Sequence, residues 1–216
     1  MSSLELGYHP ILQNYGYLID KISPGLMQEL MQQINRMQND FSKEKKANYK
    51  LVGEISNSYE MKPQKQFTYY LRGLTQQLEN QSGYLSTVFK DKEIPPLDTN
   101  QDVWVNFQQK HEYNPPHNHA GLYSYVVWYQ IPYTFKNKEK YSDQESKPRK
   151  NNSHGRFSFF VPTTNPGENI REYRLNIDKS KEGYIAIFPS NLYHTVYPFH
   201  SSDEYRITIA GNIIEK

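Results

Sequence analysis

The chain of 216 residues contains no cysteine. This absence excludes disulfide bonds, thiolate metal sites and cysteine nucleophiles, so any metal ion must be held by histidine, aspartate or glutamate. The chain also lacks a run of about 18 apolar residues, which a membrane-spanning helix would need. Its first ten residues do not resemble a secretion signal. We therefore expect a cytoplasmic protein with no membrane partner.

A strong charge of either sign is also missing. There are 25 Lys and Arg against 23 Asp and Glu, a formal net charge of +2, so the composition does not indicate a nucleic-acid partner. The length suits one well-filled core. We predict one domain over residues 1–216, in which 1–100 form a helical covering layer with lead-in strands and 101–216 form a β core.

Aromatic residues are abundant, with 19 Tyr and 10 Phe, and this is typical of a β-rich interior. Ser23 as N-cap and Pro24 at the first helical position predict a helix over 23–41, where apolar residues recur at helical spacing. A second amphipathic pattern predicts a helix that starts near Pro63. We expect both helices to cover one face of a sheet, or alternatively to contact a second copy in a homodimer.

The second half of the chain changes to short β-like runs separated by turn residues, which predicts a sandwich or barrel. Residues 134–155 are charged and poor in large aliphatic side chains, so we expect a long mobile loop that forms a lid or faces the substrate. Seven runs are predicted as strands: 103–109, 122–133, 156–162, 173–177, 183–189, 194–199 and 205–214.

Three of the seven histidines lie in the stretch "HEYNPPHNH" (111–119). His117 and His119 are two residues apart, which on an extended chain places both rings on one face, where they can converge on one ion. His194 follows a Pro-Ser-Asn turn at the start of a later β run. On this interpretation His111 is a strand-end or substrate-side residue, and His154 and His200 have no assigned role.

Arg206 lies in the apolar run "YRITIAGN". Strict alternation places Arg206 and Thr208 on one face of the strand. A buried arginine is costly unless an anion pairs with it, and its planar fork of donors fits a carboxylate. The pattern therefore predicts metal ligands together with a carboxylate clamp, and the alternative is a strand-end salt bridge with Asp203 or Glu204.

These motifs resemble those of the Fe(II)- and 2-oxoglutarate-dependent oxygenases, in particular small members from marine phages and bacteria. The resemblance covers about residues 100–214. It is carried by a W-x-N strand, an H-x-H pair, an "FPS…H" segment and a closing R-x-T strand that ends in Asn. In this chain those features are Trp104 and Asn106, His117 and His119, the run from Phe188 to His194, and Arg206, Thr208 and Asn212.

The resemblance implies a double-stranded β-helix, a jelly roll like that of the cupins, covered by the two helices. It implies an Fe(II) site in which His117 is the first ligand and His194 the distal ligand, with Arg206 bound to the far carboxylate of 2-oxoglutarate. Thr208, Tyr125 and Asn106 are the further cosubstrate-binding candidates. The implied activity is hydroxylation of an unidentified substrate, with O₂ as the second cosubstrate and succinate and CO₂ as coproducts. If the chain is viral, its location is the host cytoplasm.

The chain departs from the superfamily at the middle ligand, where His119 replaces an aspartate. A three-histidine site of His117, His119 and His194 is the favoured interpretation. One alternative is an open site in which His119 is the first ligand and Gly121 supplies none, as in the related halogenases. Another is a carboxylate such as Glu112 in place of one histidine.

Two rival functions remain open. One is a cupin-type three-histidine dioxygenase that uses no 2-oxoglutarate, and the other is a β-sandwich binding module or virion component with a structural metal. A carboxylate clamp at Arg206 distinguishes the oxygenase from both. The basic bias of 134–155 favours a protein or an anionic small molecule as substrate.

Overall fold

The computed structural model describes residues 4–90, 92–135, 153–163 and 167–216, with the side chains of 100 and 101 left out. Within these ranges three α-helices form, α1 (Pro24–Asn39), α2 (Lys65–Ser82) and α3 (Tyr84–Phe89). The strands are β1 (Gly7–Leu12), β2 (Tyr15–Lys21), β3 (Asn57–Glu60), β4 (Leu97–Gln108), β5 (Asn114–His117), β6 (Tyr123–Gln130), β7 (Phe157–Pro162), β8 (Ile170–Leu175), β9 (Tyr184–Pro189), β10 (Tyr193–Val196) and β11 (Arg206–Glu215).

The strands form two antiparallel sheets. The larger sheet has the order β1-β2-β9-β6-β11-β4-β3, and the smaller has the order β5-β10-β7-β8. One face of the larger sheet packs on the helices through Leu30, Phe67 and Ile209. A second core between the sheets includes Trp128 and Phe159. The predicted jelly roll covered by helices is confirmed.

Local signals in the sequence explain the helices. The Ser23 hydroxyl accepts a hydrogen bond from Leu26 N at 3.4 Å, and Pro24 follows at the first helical position. α2 ends at Gly83, whose φ of 62° suits a residue without a side chain. Both predicted helices form, and the six-residue α3 is an additional helix that the apolar pattern did not indicate.

The N-terminal part contributes more than a covering layer. β1, β2 and β3 all join the larger sheet, where β2 pairs with β9 and β3 pairs with β4. β1 and β2 form a hairpin, but β9 and β4 lie far along the chain from β2 and β3, so local sequence did not show where the hairpin and β3 join the sheet.

The predicted strand over 194–199 is too long, since β10 ends at Val196. The Tyr197 carbonyl instead accepts a bond from Arg206 Nη2 at 2.8 Å, and Pro198 has no N–H to donate to a sheet.

Most of the predicted loop, 136–152, lies outside the described residues. Among the residues that are described, no helix is both long and apolar enough to cross a membrane.

Candidate metal centre

His117, His119 and His194, called the inner cluster below, come together between the two sheets. His117 ends β5 and lies directly opposite His194 on β10. His119 lies just beyond β5, where its backbone N–H donates to the Ser190 carbonyl at 2.8 Å. β5 is an edge strand, which explains why it tolerates the two prolines that precede His117.

The three imidazoles have the geometry of a metal site. One ring nitrogen from each residue lies within 4.8 Å of the other two. The ring centroids are 4.3 Å apart for His117 and His194, 4.9 Å for His117 and His119, and 5.1 Å for His119 and His194. Within the described part of the chain, this is the one group of three histidine or acidic residues that meets this distance.

Hydrogen bonds leave the Nε2 atoms of two of these rings as the metal-facing nitrogens. His117 Nδ1 donates to the Pro115 carbonyl at 2.6 Å, and His194 Nδ1 donates to the Leu192 carbonyl at 2.9 Å. Such bonds fix the tautomer that leaves Nε2 with a free lone pair.

Burial keeps the inner cluster uncharged. Desolvation lowers the pKa of His119 to about 4, helped by His117 and opposed by Asp102. Desolvation also lowers the pKa of His117 and of His194, and in His194 the other two histidines add to the effect. Since a metal binds neutral imidazole, the cluster is in its ligating form at neutral pH.

Asn114, buried at the start of β5, touches the inner cluster from outside. Its amide Nδ2 donates to His117 Nε2 at 3.1 Å, while its Oδ1 accepts from Gly53 N at 2.7 Å. The single lone pair of Nε2 can serve either this amide or a metal ion. Asn114 is therefore a competitor for one ligand atom, and no motif in the sequence indicated this contact.

The inner cluster opens into a cavity of about 50 Å³ between the sheets, which exceeds the ~10–15 Å³ that one water needs. Two predicted cosubstrate residues, Asn106 and Thr208, line it. Asn106 Oδ1 and the indole N–H of Trp104 are buried polar atoms without a hydrogen-bond partner among the described residues. Trp104, from the W-x-N motif, thus presents an unused donor beside His119, 5.8 Å away between ring centroids.

Arg206 lines the same cavity and is 3% exposed. Its Nε and Nη2 donate to Gln108 Oε1 at 3.0 and 2.6 Å. Its Nη1 donates to the Tyr133 hydroxyl at 2.8 Å and to the Gly155 carbonyl at 3.2 Å. Together with the bond to Tyr197 O, these contacts use the whole guanidinium on neutral acceptors.

No carboxylate of the described residues forms a salt bridge with Arg206. The alternative of a strand-end pair is wrong for Asp203, which pairs with Lys110 instead. The larger sheet therefore carries a buried positive charge in the cavity, whose partners are an amide, a phenol and two backbone carbonyls.

Tyr125 is placed differently from the prediction. It borders the cavity, but its ring lies on the helix-facing side of the larger sheet, 5.9 Å from the ring of Phe67 on α2. Its neighbours Ser124 and Val126 occupy the other face of β6. The structure does not bring this phenol to the histidines.

The segment 48–56 forms a wall of the cavity that the sequence did not reveal. Leu51 and Ile55 line the cavity. A Cβ at Gly53 would overlap the backbone of Tyr113 and Asn114, so this segment lies directly on the start of β5. Glu112, considered above as a carboxylate ligand, instead accepts bonds from Ser56 N at 3.0 Å and from Gln109 N at 2.8 Å.

A jelly roll that holds three neutral imidazoles and a buried arginine around one cavity can bind a divalent metal ion there. Imidazole nitrogen suits iron(II), so the donor set fits that ion.

A family model described as "Putative 2OG-Fe(II) oxygenase" matches residues 102–212, more than half of the chain. The chain belongs to this family, as its motifs indicated. No curated protein matches the sequence.

A solved structure shares this fold. A crystal structure of a prolyl-4-hydroxylase from Pseudomonas putida superimposes with a TM-score of 0.56 over 94% of both chains, at 12% identity. A crystal structure of an oxidoreductase of the 2OG-Fe(II) oxygenase family from Burkholderia pseudomallei has a TM-score of 0.38 and 10% identity, over 97% of this chain and 73% of that chain. Likeness at these identities concerns the fold and does not identify a substrate.

Proposed function

We propose that this protein is a dioxygenase that uses Fe(II), 2-oxoglutarate and O₂ to hydroxylate an organic substrate. The observation that carries the proposal is the convergence of His117, His119 and His194 within 4.8 Å, in a cavity that also holds the buried cation of Arg206. Iron bound there would couple the oxidative decarboxylation of 2-oxoglutarate, to succinate and CO₂, to insertion of an oxygen atom into the substrate.

The chain's own residues position the reactants. Backbone carbonyls orient the rings of His117 and His194, and both residues lie on paired strands, which hold a ligand set more rigidly than loops do. In the proposal Arg206 attracts the far carboxylate of 2-oxoglutarate by its charge. For a direct hydrogen bond between that carboxylate and Arg206, the carboxylate must replace Gln108 Oε1 as the acceptor of the Arg206 Nε and Nη2 donors.

Two further groups support a cosubstrate in this cavity. The unpartnered indole N–H of Trp104 is a donor for an oxygen atom, and Thr208 lies two residues from Arg206 on the same face of β11. Asn106 stays a candidate because its amide faces the cavity. Tyr125 is left out of the proposed cosubstrate site because its ring faces α2.

The rival without 2-oxoglutarate has one observation in its favour. Every edge of the Arg206 guanidinium is bonded to the protein itself, so the arginine has a role even if no carboxylate binds. The preference for a protein or anionic substrate rests on the basic loop 134–155, most of which lies outside the described residues, so it stays a prediction. The homodimer also stays a prediction.

An anaerobic titration separates these functions. Metal-free protein is mixed with Fe(II) and then with 2-oxoglutarate, while the visible charge-transfer band of the chelated keto acid is followed. We expect a band in the wild type, no band in His194→Ala, and a band that needs at least about tenfold more 2-oxoglutarate in Arg206→Lys, because lysine cannot reproduce the bidentate fork.

His9→Ala is the matched control, since His9 lies outside the inner cluster and bonds the Glu5 carbonyl. Iron binding without a band in the wild type would support the rival dioxygenase. Failure of the wild type to bind iron would contradict both.

A further inference from the structure

The remaining histidines are not scattered over the surface. His111, His154 and His200, called the outer cluster below, lie together although they are far apart in sequence. Ring centroids are 4.8 Å apart for His111 and His200 and 5.5 Å apart for His154 and His200. These spacings are close to the 4.3 to 5.1 Å of the inner cluster. Six of the seven histidines thus belong to two groups of three.

The nitrogens of two outer rings already face each other. His111 Nδ1 and His200 Nδ1 are 2.8 Å apart, so one ring donates its proton to the other. An ion that displaces this shared proton would meet both Nδ1 atoms close together, as two ligands of one ion require. His154 is one ring away, with its Nε2 3.4 Å from the Ser201 hydroxyl, and a side-chain rotation would turn it toward the pair.

The backbone under the outer cluster is prearranged. His111 N donates to the Phe199 carbonyl, Gly155 N to the Pro198 carbonyl and Tyr197 N to the Arg156 carbonyl, each at 2.9 Å. Three separate segments are thereby fixed beside one another, each carrying one of the histidines. Binding at such a junction requires little ordering of the chain.

His111 also has an unusual backbone. Its φ is 72°, in the left-handed region where a residue with a side chain is strained by about 1–2 kcal/mol. Strain of this kind is found preferentially at functional positions. The side chain it presents is the one that meets His200.

We propose that the outer cluster binds a divalent metal ion such as Zn²⁺ at the protein surface. His111 and His200 are two of its ligands, and His154 is the third. Three imidazoles and solvent match the nitrogen preference and tetrahedral geometry of such an ion. This site is separate from the inner cluster and does not depend on the proposed oxygenase activity.

The position of the site gives it a consequence for the cavity. The segments that carry His154 and His200 also provide the Gly155 and Tyr197 carbonyls that bond Arg206. The Phe199 ring lies 5.4 Å from the Arg206 guanidinium. An ion in the outer cluster would therefore restrict the motion of the two segments whose carbonyls bind Arg206.

Zinc stoichiometry on the full chain, by equilibrium dialysis of metal-free protein, tests the proposal. We expect two ions per chain in the wild type, one in His194→Ala, one in His200→Ala and none in the double variant. His154→Ala should weaken the outer ion by roughly tenfold without removing it. His9→Ala is the control and should keep both ions.

The outer variants should fold normally because His111 and His200 are exposed. A circular dichroism melt checks this, and zinc should raise the melting temperature of His194→Ala but not of the double variant. A wild type that binds one ion and keeps it in His200→Ala, or two ions in His200→Ala, would overturn the proposal. Since the charge-transfer experiment uses the inner cluster alone, failure here leaves the proposed oxygenase function intact.

Discussion

The inner and outer clusters use the same side chain in opposite surroundings. The inner rings lie between two sheets, and burial is the largest cause of their lowered pKa values. In the outer cluster His111 and His200 are exposed, and only His154 is half-buried. The inner site is shaped by strands and excludes most solvent, whereas the outer site depends on loops and remains open to water.

Because their surroundings differ, the two clusters are suited to different purposes. A buried site with a cavity can hold an ion and a cosubstrate away from water, which suits chemistry. An exposed site has no cavity to hold a substrate and suits an ion that fastens segments together. Arg206 lies between the two, because it lines the inner cavity and bonds the segments that carry the outer cluster.

The largest effect is expected for Arg206→Ala. The substitution leaves Gln108 Oε1 and the Tyr197 carbonyl without a donor, whereas the Gly155 carbonyl keeps its bond from the Tyr133 hydroxyl at 2.6 Å. Each buried group left unsatisfied costs about 1–3 kcal/mol. We expect the free energy of unfolding in urea to fall by about 3 kcal/mol or more. Lys110→Ala, which removes an exposed pair with Asp203, should change it by less than about 1 kcal/mol. Equal effects in the two variants would show that Arg206 does not connect the clusters.

The second prediction concerns the pH dependence of the metal-free protein. Unfolded histidine titrates near a pKa of about 6.5, while the pKa of native His119 is about 4. Between these values the unfolded chain binds more protons, so the stabilising contribution is present above about pH 6.5 and is lost as the pH falls toward 4. The free energy of unfolding should fall by about 1.4 kcal/mol per pH unit for each histidine that stays neutral.

Urea unfolding at a series of pH values checks this dependence. His119→Gln should flatten the slope, whereas His200→Gln should change it less because the outer ring is exposed. If both variants changed the pH dependence of the free energy of unfolding equally, burial would not distinguish the titration of the two clusters.

A smaller effect is expected for Asn114→Ala. Loss of the amide frees His117 Nε2, and one hydrogen bond has a net value of about 0.5–1.5 kcal/mol, so Fe(II) affinity should rise by roughly 2–10-fold. The protein should also lose about 1 kcal/mol of stability, since Gly53 N loses its acceptor. Zinc affinity of the outer cluster should not change. Metal titration and urea unfolding measure both quantities, and weaker iron binding would contradict the competition at Nε2.

The smallest effect is expected for His111→Gly. Glycine adopts a φ of 72° without strain, so the metal-free protein should gain up to about 1 kcal/mol of stability. The same variant should lose the outer zinc ion and keep the inner one. A thermal melt with and without zinc tests both, and a destabilised variant that still binds two ions would show that His111 has only a structural role.

The fold was predictable where the signals are local. Ser23 and Pro24 mark the start of α1, and alternation around Arg206 indicated the face that lines the cavity. The H-x-H pair and His194 were found because their motif is short. The pairing of β2 with β9 and of β3 with β4 was not predicted, since pairing over long sequence distances leaves no local trace.

The face of Tyr125 could not be predicted either. The first six residues of β6 are buried, so the strand shows no alternation of apolar and polar residues that distinguishes one face from the other. In β11 the charge of Arg206 provided that distinction, and there the predicted face agrees with the structure.

Short motifs in the sequence were enough to predict the family, and the resemblance to that family implied the jelly roll and the three histidines proposed to hold the metal. Three features appear only in the folded chain: the partners of Arg206, the contact of Asn114 with His117, and the outer cluster. Each of these depends on the register between strands and loops that are distant in sequence, and such contacts form only when the whole chain packs.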